Sequence, residues 1–384
     1  MQKKLIALAV SALVSGAAFA QSTVTIYGVA DGGISYRTDG PKNSHDRITI
    51  DTGISAGNRL GFKGVEDLGN GISALYTVEM GFGADDGALR NGVGVGKRQA
   101  FLGLTGGFGT VIAGRLYTPH YTLLSSIDPF KAGTVGSYRN VSADVVSLNA
   151  LTGNDDAVGN VFDPTRVDNT IAYVSPSAGG FNVTVAYSNG ASGRESLGTK
   201  NTDDIKVFVL QPRYTQGIVD VGINFHQINV EGRNNLIGGG VGVDDITNIA
   251  VAAALDFGAI KIHAFYDTNT LTFTSPPGVK YKDWTMDTFL FGLTFPFAGK
   301  NAIQLSGVYN KMDNGRDTGE VTQAAIGYTY ELSKRTNFYV AAATITQDDK
   351  AKNKVFQRAA SVGDNSNNYA GYETGVQFGL KHTF

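Results

Sequence analysis

Apolar and polar residues alternate along most of the chain with a period of two. In the last segment the apolar positions are Tyr372, Val376, Phe378, Leu380 and Phe384. The polar positions between them are Glu373, Gln377 and Lys381. Successive side chains of a strand point to opposite faces, so this spacing predicts a strand with one apolar and one polar face. Chain termini usually fray, and an aromatic last residue therefore predicts a terminal strand that is held in place.

The same alternation recurs in short segments throughout the chain. Clear examples are "ISALYTVEMGF" at 72–82, "FNVTVAY" at 181–187, "MDTFLFGLTF" at 286–295 and "QAAIGYTYEL" at 323–332. The segment "FYVAAATIT" at 338–346 alternates poorly. Each segment is a weak signal, but together they indicate a protein made largely of strands that have one apolar face.

Short and long connections take turns between these segments. Tight turns are predicted at 67–71, 105–109, 175–180, 215–217, 256–258, 295–300 and 332–335. Longer polar stretches lie near 37–56, 83–96, 119–165, 189–203, 230–245, 268–283, 312–319 and 347–370. Seven short turns and eight long loops join sixteen strands. All short turns then lie at one end of the sheet and all long loops at the other.

This asymmetry predicts an all-β fold, a 16-stranded antiparallel transmembrane β-barrel. Hydrocarbon cannot satisfy free backbone groups, so the sheet must close on itself. The terminal strand at 372–384 should pair with "STVTIYGVADGG" at 22–33, with its apolar face towards lipid. The alternative architecture is a secreted β-sandwich or solenoid.

Composition agrees with a barrel and excludes other classes. The chain has no cysteine, so it has no disulfide framework and no thiolate metal site. Charged residues make up 17% of the chain, against about 25% in soluble proteins. Beyond the N-terminal segment, no apolar run approaches the roughly 18 residues of a spanning helix, which excludes a helical membrane protein.

The N-terminus "MQKKLIALAVSALVSGAAFAQ" has two lysines, an apolar run and Ala18-Phe19-Ala20. This order predicts a secretory signal peptide at 1–20 and a mature domain at 21–384. Cleavage removes Lys3 and Lys4 and leaves a net charge of about −4, so a nucleic-acid partner is not supported.

Four stretches resemble the general diffusion porins of Gram-negative bacteria, particularly the β-proteobacterial branch. They are "NRLGFKGVEDLGNG" at 58–71, "KRQAFLGLTGGFGTVIAGRLYTP" at 97–119, "VDNTIAY" at 167–173 and the closing "GLKHTF". The resemblance implies a homotrimer in the outer membrane, in contact with lipid and lipopolysaccharide. Each subunit would be a water-filled channel for passive diffusion of small hydrophilic solutes and ions, narrowed by a long third loop folded into the lumen. It also implies that the barrel-assembly machinery recognises Phe384 as an assembly signal.

Strand alternation assigns several charges to the lumen. Leu60 and Phe62 are expected to face lipid, which turns Arg59 and Lys63 inward. Ile112 and Leu116 are likewise expected outward, which turns Arg115 inward. Alternation is ambiguous around Arg98, where both faces are apolar, and the porin resemblance places Arg98 and Arg166 on the inner wall.

Counting from the short turns gives the height of these residues. Arg59 lies eight residues before Asp67 and Glu79 eight after Gly71, so a symmetric hairpin places them opposite each other. At about 3.3 Å per residue and a tilt near 45°, the predicted wall charges lie ~14 to 21 Å above the turns. They would form one belt near the middle of the barrel.

The third loop, at about 119–165, is longer than compact domains usually tolerate, which indicates a functional segment packed inward. Asp128 is the first candidate for an acidic group that faces the arginines, and Asp144 the second. The excess of arginine predicts a weak preference for anions. In the alternative, the arginines pair with Glu79 and Glu66 and only brace the wall.

Other chemistry is weakly indicated. "GVGVGKR" at 92–98 lacks the spacing of a phosphate-binding loop, and the histidines show no metal-ligand spacing, so we expect neither a cofactor nor a metal site. Ser125, His120 and Asp128 are close in sequence but lack a nucleophile elbow, so no catalytic residue is predicted. Trp284 is expected in an aromatic belt at the membrane interface. The rival functions are a substrate-selective channel, an outer-membrane barrel enzyme of the phospholipase type, and a plugged structural barrel.

Overall fold

The computed structural model describes residues 23–38, 46–90, 94–142, 164–191, 205–230, 242–274, 282–313, 315, 317–348 and 373–384. The predicted signal peptide at 1–20 and Asp144 lie outside the described residues. No helix in the described part of the chain has the length and apolarity that a membrane-crossing helix needs.

Antiparallel strands make up most of the described chain. They are β1 (Thr23–Thr38), β2 (Arg47–Thr52), β3 (Arg59–Gly69), β4 (Ile72–Phe82), β5 (Leu89–Arg90), β6 (Gln99–Gly106), β7 (Gly109–Tyr117), β8 (Arg166–Val174), β9 (Phe181–Ser188), β10 (Lys206–Gln216), β11 (Val219–Asn229), β12 (Gly242–Asp256), β13 (Lys261–Thr274), β14 (Trp284–Phe297), β15 (Asn301–Asp313), β16 (Thr318–Glu331), β17 (Thr336–Gln347) and β18 (Thr374–Thr383). Two helices, α1 (Pro119–Ile127) and α2 (Arg139–Ser142), lie between β7 and β8.

These segments form the sixteen-stranded barrel that the sequence predicts. β2 pairs with the second half of β1 and β3 with its first half. β2 and β3 therefore occupy one strand position in the wall. β5 and β6 both pair with β4 and share another position. The sequence predicts sixteen continuous strands, and the structure interrupts two of them.

The barrel closes between β1 and β18, as the alternation at the C-terminus predicts. Val29 pairs with Thr383 and Thr38 with Thr374. Gly28 and Phe384 extend the ladder, with N···O distances of 3.0 and 3.1 Å. The seam therefore uses the second half of β1, whose other edge pairs with β2, whereas the first half, from Thr23 to Val29, pairs with β3.

Apolar side chains cover the outer face of the wall. Ile326 is 54% exposed, Phe291 57% and Phe378 47%, and each is a position where the alternation predicts contact with lipid. Trp284 is an exception, because it pairs in register with Leu271 and packs against the buried clusters on the inner face. The expected belt position of Trp284 is therefore wrong. At that height the inner face is also apolar, so apolarity alone does not identify the face.

The segment between β7 and β8 folds into the barrel, as predicted for the third loop. Thr118 caps α1 by accepting a hydrogen bond from the Tyr121 N–H at 3.1 Å. Leu123, Leu124 and Ile127 on α1 are completely buried against inner-wall residues of β12–β17. The described part of this loop thus occupies one side of the lumen and leaves the inner faces of β1, β3 and β4 opposite it.

Candidate functional site

Glu79 is the centre of a group of charged side chains on the inner wall. It lies on β4, pairs in register with Gly61 and is only 2% exposed. Its carboxylate accepts hydrogen bonds from Arg98 Nε at 2.8 Å and from the Tyr27 hydroxyl at 3.0 Å. Arg59 Nη1 lies 4.0 Å from the same carboxylate. A buried carboxylate with two guanidinium neighbours is well compensated.

Gly61 makes room for this arrangement. Tyr27 on β1 lies directly opposite Gly61, and its ring crosses the glycine to reach Glu79. A Cβ atom at Gly61 would lie 2.3 Å from Tyr27 Cζ, which no side chain tolerates. The glycine is therefore required by the close approach of the aromatic ring.

Tyr117 links Arg166 to Arg98 and so adds a third arginine to the group. Its hydroxyl oxygen accepts hydrogen bonds from Arg98 Nη2 at 2.7 Å and from Arg166 Nη2 at 2.8 Å. The Arg166 guanidinium also lies 4.5 Å from the centre of the Tyr117 ring, within the range of a cation–π contact. These contacts fix the directions of both guanidinium groups.

The third loop extends the group towards the middle of the lumen. Tyr121 on α1 stacks on Tyr117 with ring centres 5.3 Å apart and planes inclined by 19°. Arg139, at the start of α2, lies 5.3 Å from the Tyr121 ring and donates a hydrogen bond to Thr165 at 2.7 Å. We call Arg59, Arg98, Arg139, Arg166 and Glu79, with Tyr27, Tyr117 and Tyr121, the arginine cluster.

Arg59, Arg98, Arg166 and Glu79 thus come together on the inner wall. Lys63 lies beside them on β3, exposed, with Nζ 5.2 Å from the centre of the Tyr27 ring. The predicted pairing of Arg59 with Glu79 is displaced by two residues, so that Arg59 lies opposite Gly81. The cause is the position of the turn, because Gly69 already pairs with Ile72 and the hairpin therefore turns later in the chain than the symmetric hairpin assumed.

Arg115 does not join the cluster, which corrects the prediction. It pairs in register with Ala100, two residues from the Ala113–Leu102 pair, and Leu102 is 70% exposed on the outer face. Directly opposed residues share a face, so Arg115 belongs to the outer face. There its guanidinium forms a salt bridge with Asp168 and donates a hydrogen bond to the Lys97 carbonyl oxygen. The prediction failed because Ile112 and Leu116, taken as outward, pack against a buried cluster on the inner face.

Asp128 does not face the arginines either. It is 1% exposed, and its carboxylate accepts hydrogen bonds from the backbone N–H groups of Phe130 at 3.0 Å, Ala132 at 2.9 Å and Tyr138 at 3.4 Å. Burial raises the pKa of Asp128 to about 6, although these hydrogen bonds act in the opposite direction. Asp128 therefore holds the fold of the third loop and is not a lining charge.

Ser125, His120 and Asp128 do not meet as a catalytic triad. His120 Nε2 lies 2.8 Å from Asp267 Oδ1 on β13, whereas the Ser125 hydroxyl is directed to the Thr122 carbonyl oxygen at 3.4 Å. Asp128 is engaged with its own loop. His120 instead fastens the start of α1 to the inner wall.

Sequence reasoning missed Tyr27, Tyr117, Tyr121 and Arg139. The alternation of apolar and polar residues along β1 could have placed Tyr27 on the inner face, as alternation did for residues of other strands. Tyr117 and Tyr121 lie at the end of β7 and on α1, where strand alternation no longer applies. Arg139 lies in the third loop, whose path through the lumen is visible only in three dimensions.

Positive side chains outnumber negative ones among the described residues of the cluster. Among the residues that the structure describes, the cluster brings together four guanidinium groups and one carboxylate. Such groups, fixed by aromatic rings on the wall of a barrel, create a positive potential where a solute passes. A barrel with an apolar outer face, an inward-folded loop and a charged inner wall is the architecture of a membrane diffusion channel.

Comparisons with known proteins agree with this class. The family described as Gram-negative porin matches residues 7–350. An outer membrane porin protein of Bordetella pertussis is 28% identical over the full length of both chains, and outer membrane porin protein 32 of Delftia acidovorans is 30% identical, also over both full lengths. The solved anion-selective porin from Comamonas acidovorans superposes with a TM-score of 0.74 at 25% identity, covering 95% of this chain and 100% of that one.

The chain belongs to the Gram-negative porin family. It is an outer-membrane diffusion channel.

Proposed function

We propose that this porin is a general diffusion channel with a preference for small hydrophilic anions, and that the arginine cluster sets this preference. The observation that carries the proposal is the ratio of four guanidinium groups to one carboxylate among the described residues of the cluster. The acidic partner expected at Asp128 is withdrawn into the third loop, so it does not offset the arginines.

One further observation supports the proposal. The Comamonas relative of similar fold is named as anion-selective. The pairs of Glu79 with Arg98 and Arg59 also give the cluster a bracing role, as the alternative predicted. Bracing and selectivity are compatible, because a guanidinium group that contacts a carboxylate can also lie on the wall of the lumen.

The quaternary and cellular parts of the proposal follow from the porin family. The channel functions as a homotrimer, with subunit contacts through the first five strands and the last one, and the loop at 83–96 reaches a neighbouring subunit. It has no enzymatic activity and no cofactor. Lipopolysaccharide surrounds its outer face, the barrel-assembly machinery recognises its C-terminus, and residues 1–20 are removed after export.

The test is the reversal potential of the channel in a planar bilayer under a KCl gradient. In the double variant Arg59→Gln with Arg166→Gln, the reversal potential should move towards the cation-selective sign, because two of four positive groups are lost. Arg115→Gln is the control, since it removes one positive charge from the outer face and should leave the potential unchanged. An equal effect of both variants would contradict a role for the cluster.

A further inference from the structure

The tip of the third loop presents a lysine to the lumen. Lys131, Ala132 and Thr134 all have positive φ angles, of 54°, 57° and 61°. Residues with a side chain rarely adopt this conformation, and such strain is maintained only where the surroundings impose it. The Asp128 carboxylate imposes it here by accepting the N–H groups of Phe130, Ala132 and Tyr138. The exposed Lys131 side chain projects from this constrained turn.

Hydrogen bonds hold the tip against both sides of the inner wall. The Val135 N–H donates to Gln377 Oε1 on β18 at 2.7 Å, and the Thr134 N–H donates to the Ile54 carbonyl oxygen at 2.7 Å. On the other side, the Ile127 carbonyl oxygen lies 2.6 Å from His263 Nδ1 on β13. These contacts fix the position of Lys131 between β13 and β18.

Each of these two strands carries an inward lysine between its contact with the loop and the end of the barrel where the short turns lie. Lys381 shares the inner face of β18 with Gln377, and its Nζ lies 3.5 Å from the Ser55 hydroxyl. Ser55 in turn packs on Gly133, where an added Cβ would lie 2.2 Å from the Ser55 carbonyl oxygen. Lys261 shares the inner face of β13 with His263, two residues nearer the short turn at 256–261.

The charges of Lys381 and Lys261 both act on Lys131, which lies between them. Enclosure by the barrel lowers the pKa of Lys131 below its ordinary value of 10.5, and the positive charges of Lys381 and Lys261 lower it further. Glu331, at the end of β16, acts in the opposite direction on Lys131. Asp31 faces Lys381, but its carboxylate already accepts hydrogen bonds from the N–H groups of Ser55 and Ala56 and from the Tyr339 hydroxyl.

We propose that Lys131, Lys261 and Lys381 form a second anion subsite, on the side of the third loop that faces the short turns, and that it binds a multivalent oxyanion such as phosphate. Three mobile ammonium groups suit such a ligand, because lysine binds phosphate as a point charge from variable directions. The inference rests on the proposed anion preference and goes beyond it. The arginine cluster would select anions in general, whereas the lysine subsite would favour those that carry more than one negative charge.

Inhibition of chloride current by inorganic phosphate tests the subsite. Phosphate is added in steps to wild-type channels in KCl, and the concentration that halves the inhibitable current is measured for Lys131→Gln, Lys261→Gln and Lys381→Gln. Each variant should require a higher concentration, by about two- to fivefold, since a solvated charge pair contributes up to about 1 kcal/mol. Lys334→Gln, exposed in a short turn away from the lumen wall, is the control and should match wild type.

The outcomes separate this inference from the proposed function. If the lysine variants match Lys334→Gln while the Arg59→Gln and Arg166→Gln variant loses inhibition, the phosphate site is the arginine cluster and the lysine subsite is wrong. Wild-type channels that prefer cations would overturn the proposed function and this inference with it. Retention of the heat-resistant folded form by each variant on gel electrophoresis excludes misfolding as the cause.

Discussion

At the scale of the residue, the arginine cluster depends on Gly61, because the absence of a Cβ atom there leaves room for an aromatic ring. Gly61 allows the Tyr27 ring to lie flat on the wall and to reach Glu79. Glu79 is almost fully buried, and Tyr27 and Arg98 both donate hydrogen bonds to its carboxylate. The arginine cluster is thus built around one buried carboxylate.

Gly61→Ala should displace Tyr27 from Glu79. The new methyl group would lie within the aromatic ring, so we expect a loss of about 1–3 kcal/mol in stability and altered channel conductance. Thermal unfolding in detergent and single-channel recording would measure the two effects. Gly307→Ala is the control, because a Cβ at Gly307 meets nothing within 4 Å. Identical behaviour of the two variants would contradict the role of Gly61.

Glu79→Gln should strengthen the anion preference and weaken the fold together. The variant removes the carboxylate that Arg98 and Arg59 approach, and Arg98 is only 3% exposed. Breaking a buried ion pair costs about 3–5 kcal/mol, so the unfolding temperature should fall. A reversal potential that moves towards the cation-selective sign would refute this arrangement of charges.

Strand alternation predicted the faces of individual residues only where one face is apolar. It assigned Arg59 and Lys63 correctly, because Phe62 between them belongs to the outer face. It failed for Arg115, because the inner face of the neighbouring strands is apolar too, where buried side chains pack inside the barrel. The aromatic-belt expectation for Trp284 failed for the same reason. The face of such residues is decided by what fills the lumen, which a local pattern cannot show.

At the scale of the element, the third loop is the part of the described structure that shapes the lumen. Wall residues hold it along its length: His120 contacts Asp267, and the side-chain amide of Gln323 donates to the Gly136 and Ser137 carbonyl oxygens at 3.1 and 3.0 Å. Its internal fold depends on Asp128. The length of the loop predicted its inward packing, but the role of Asp128 required knowledge of the turn that it closes.

Asp128→Asn should loosen the tip of the loop without unfolding the barrel. An amide offers one acceptor oxygen in place of two, so the N–H groups of Phe130, Ala132 and Tyr138 cannot all remain bonded. We expect faster hydrogen exchange in residues 128–138, corresponding to about 1–3 kcal/mol of local stability. Asp168→Asn, which alters a carboxylate paired with Arg115 on the outer face, should leave this exchange unchanged.

The positions of the connections were the most predictable feature at this scale. All seven predicted short turns join consecutive wall strands, because glycine and polar residues interrupt the alternation there. The two interrupted strands could not be predicted. Residues 53–58 leave the wall to donate to Asp31 from Ser55 and Ala56, a contact between segments far apart in sequence.

At the scale of the whole molecule, closure of the barrel depends on the last residue. Phe384 exchanges two backbone hydrogen bonds with Gly28, and its ring covers that glycine, where an added Cβ would lie 2.3 Å from Phe384 Cζ. The aromatic terminus that the sequence displays is therefore part of the seam, in addition to its proposed recognition during assembly.

Deletion of Phe384 should reduce the yield of inserted barrel and leave the selectivity of the assembled channels unchanged. The seam loses two hydrogen bonds and an aromatic contact, whereas the arginine cluster is untouched. The fraction of heat-resistant protein in outer-membrane preparations measures assembly, and Phe384→Tyr is a conservative control. Normal assembly of the shortened chain would show that Phe384 is not needed to close the barrel.

We infer that the charges of the inner wall make this porin prefer anions. The most direct measurement is the reversal potential of the purified wild-type protein in a planar bilayer under a KCl gradient. A potential of the anion-selective sign that decreases in the Arg59→Gln and Arg166→Gln variant is the predicted result. A potential of the cation-selective sign in the wild-type channel would contradict the claim.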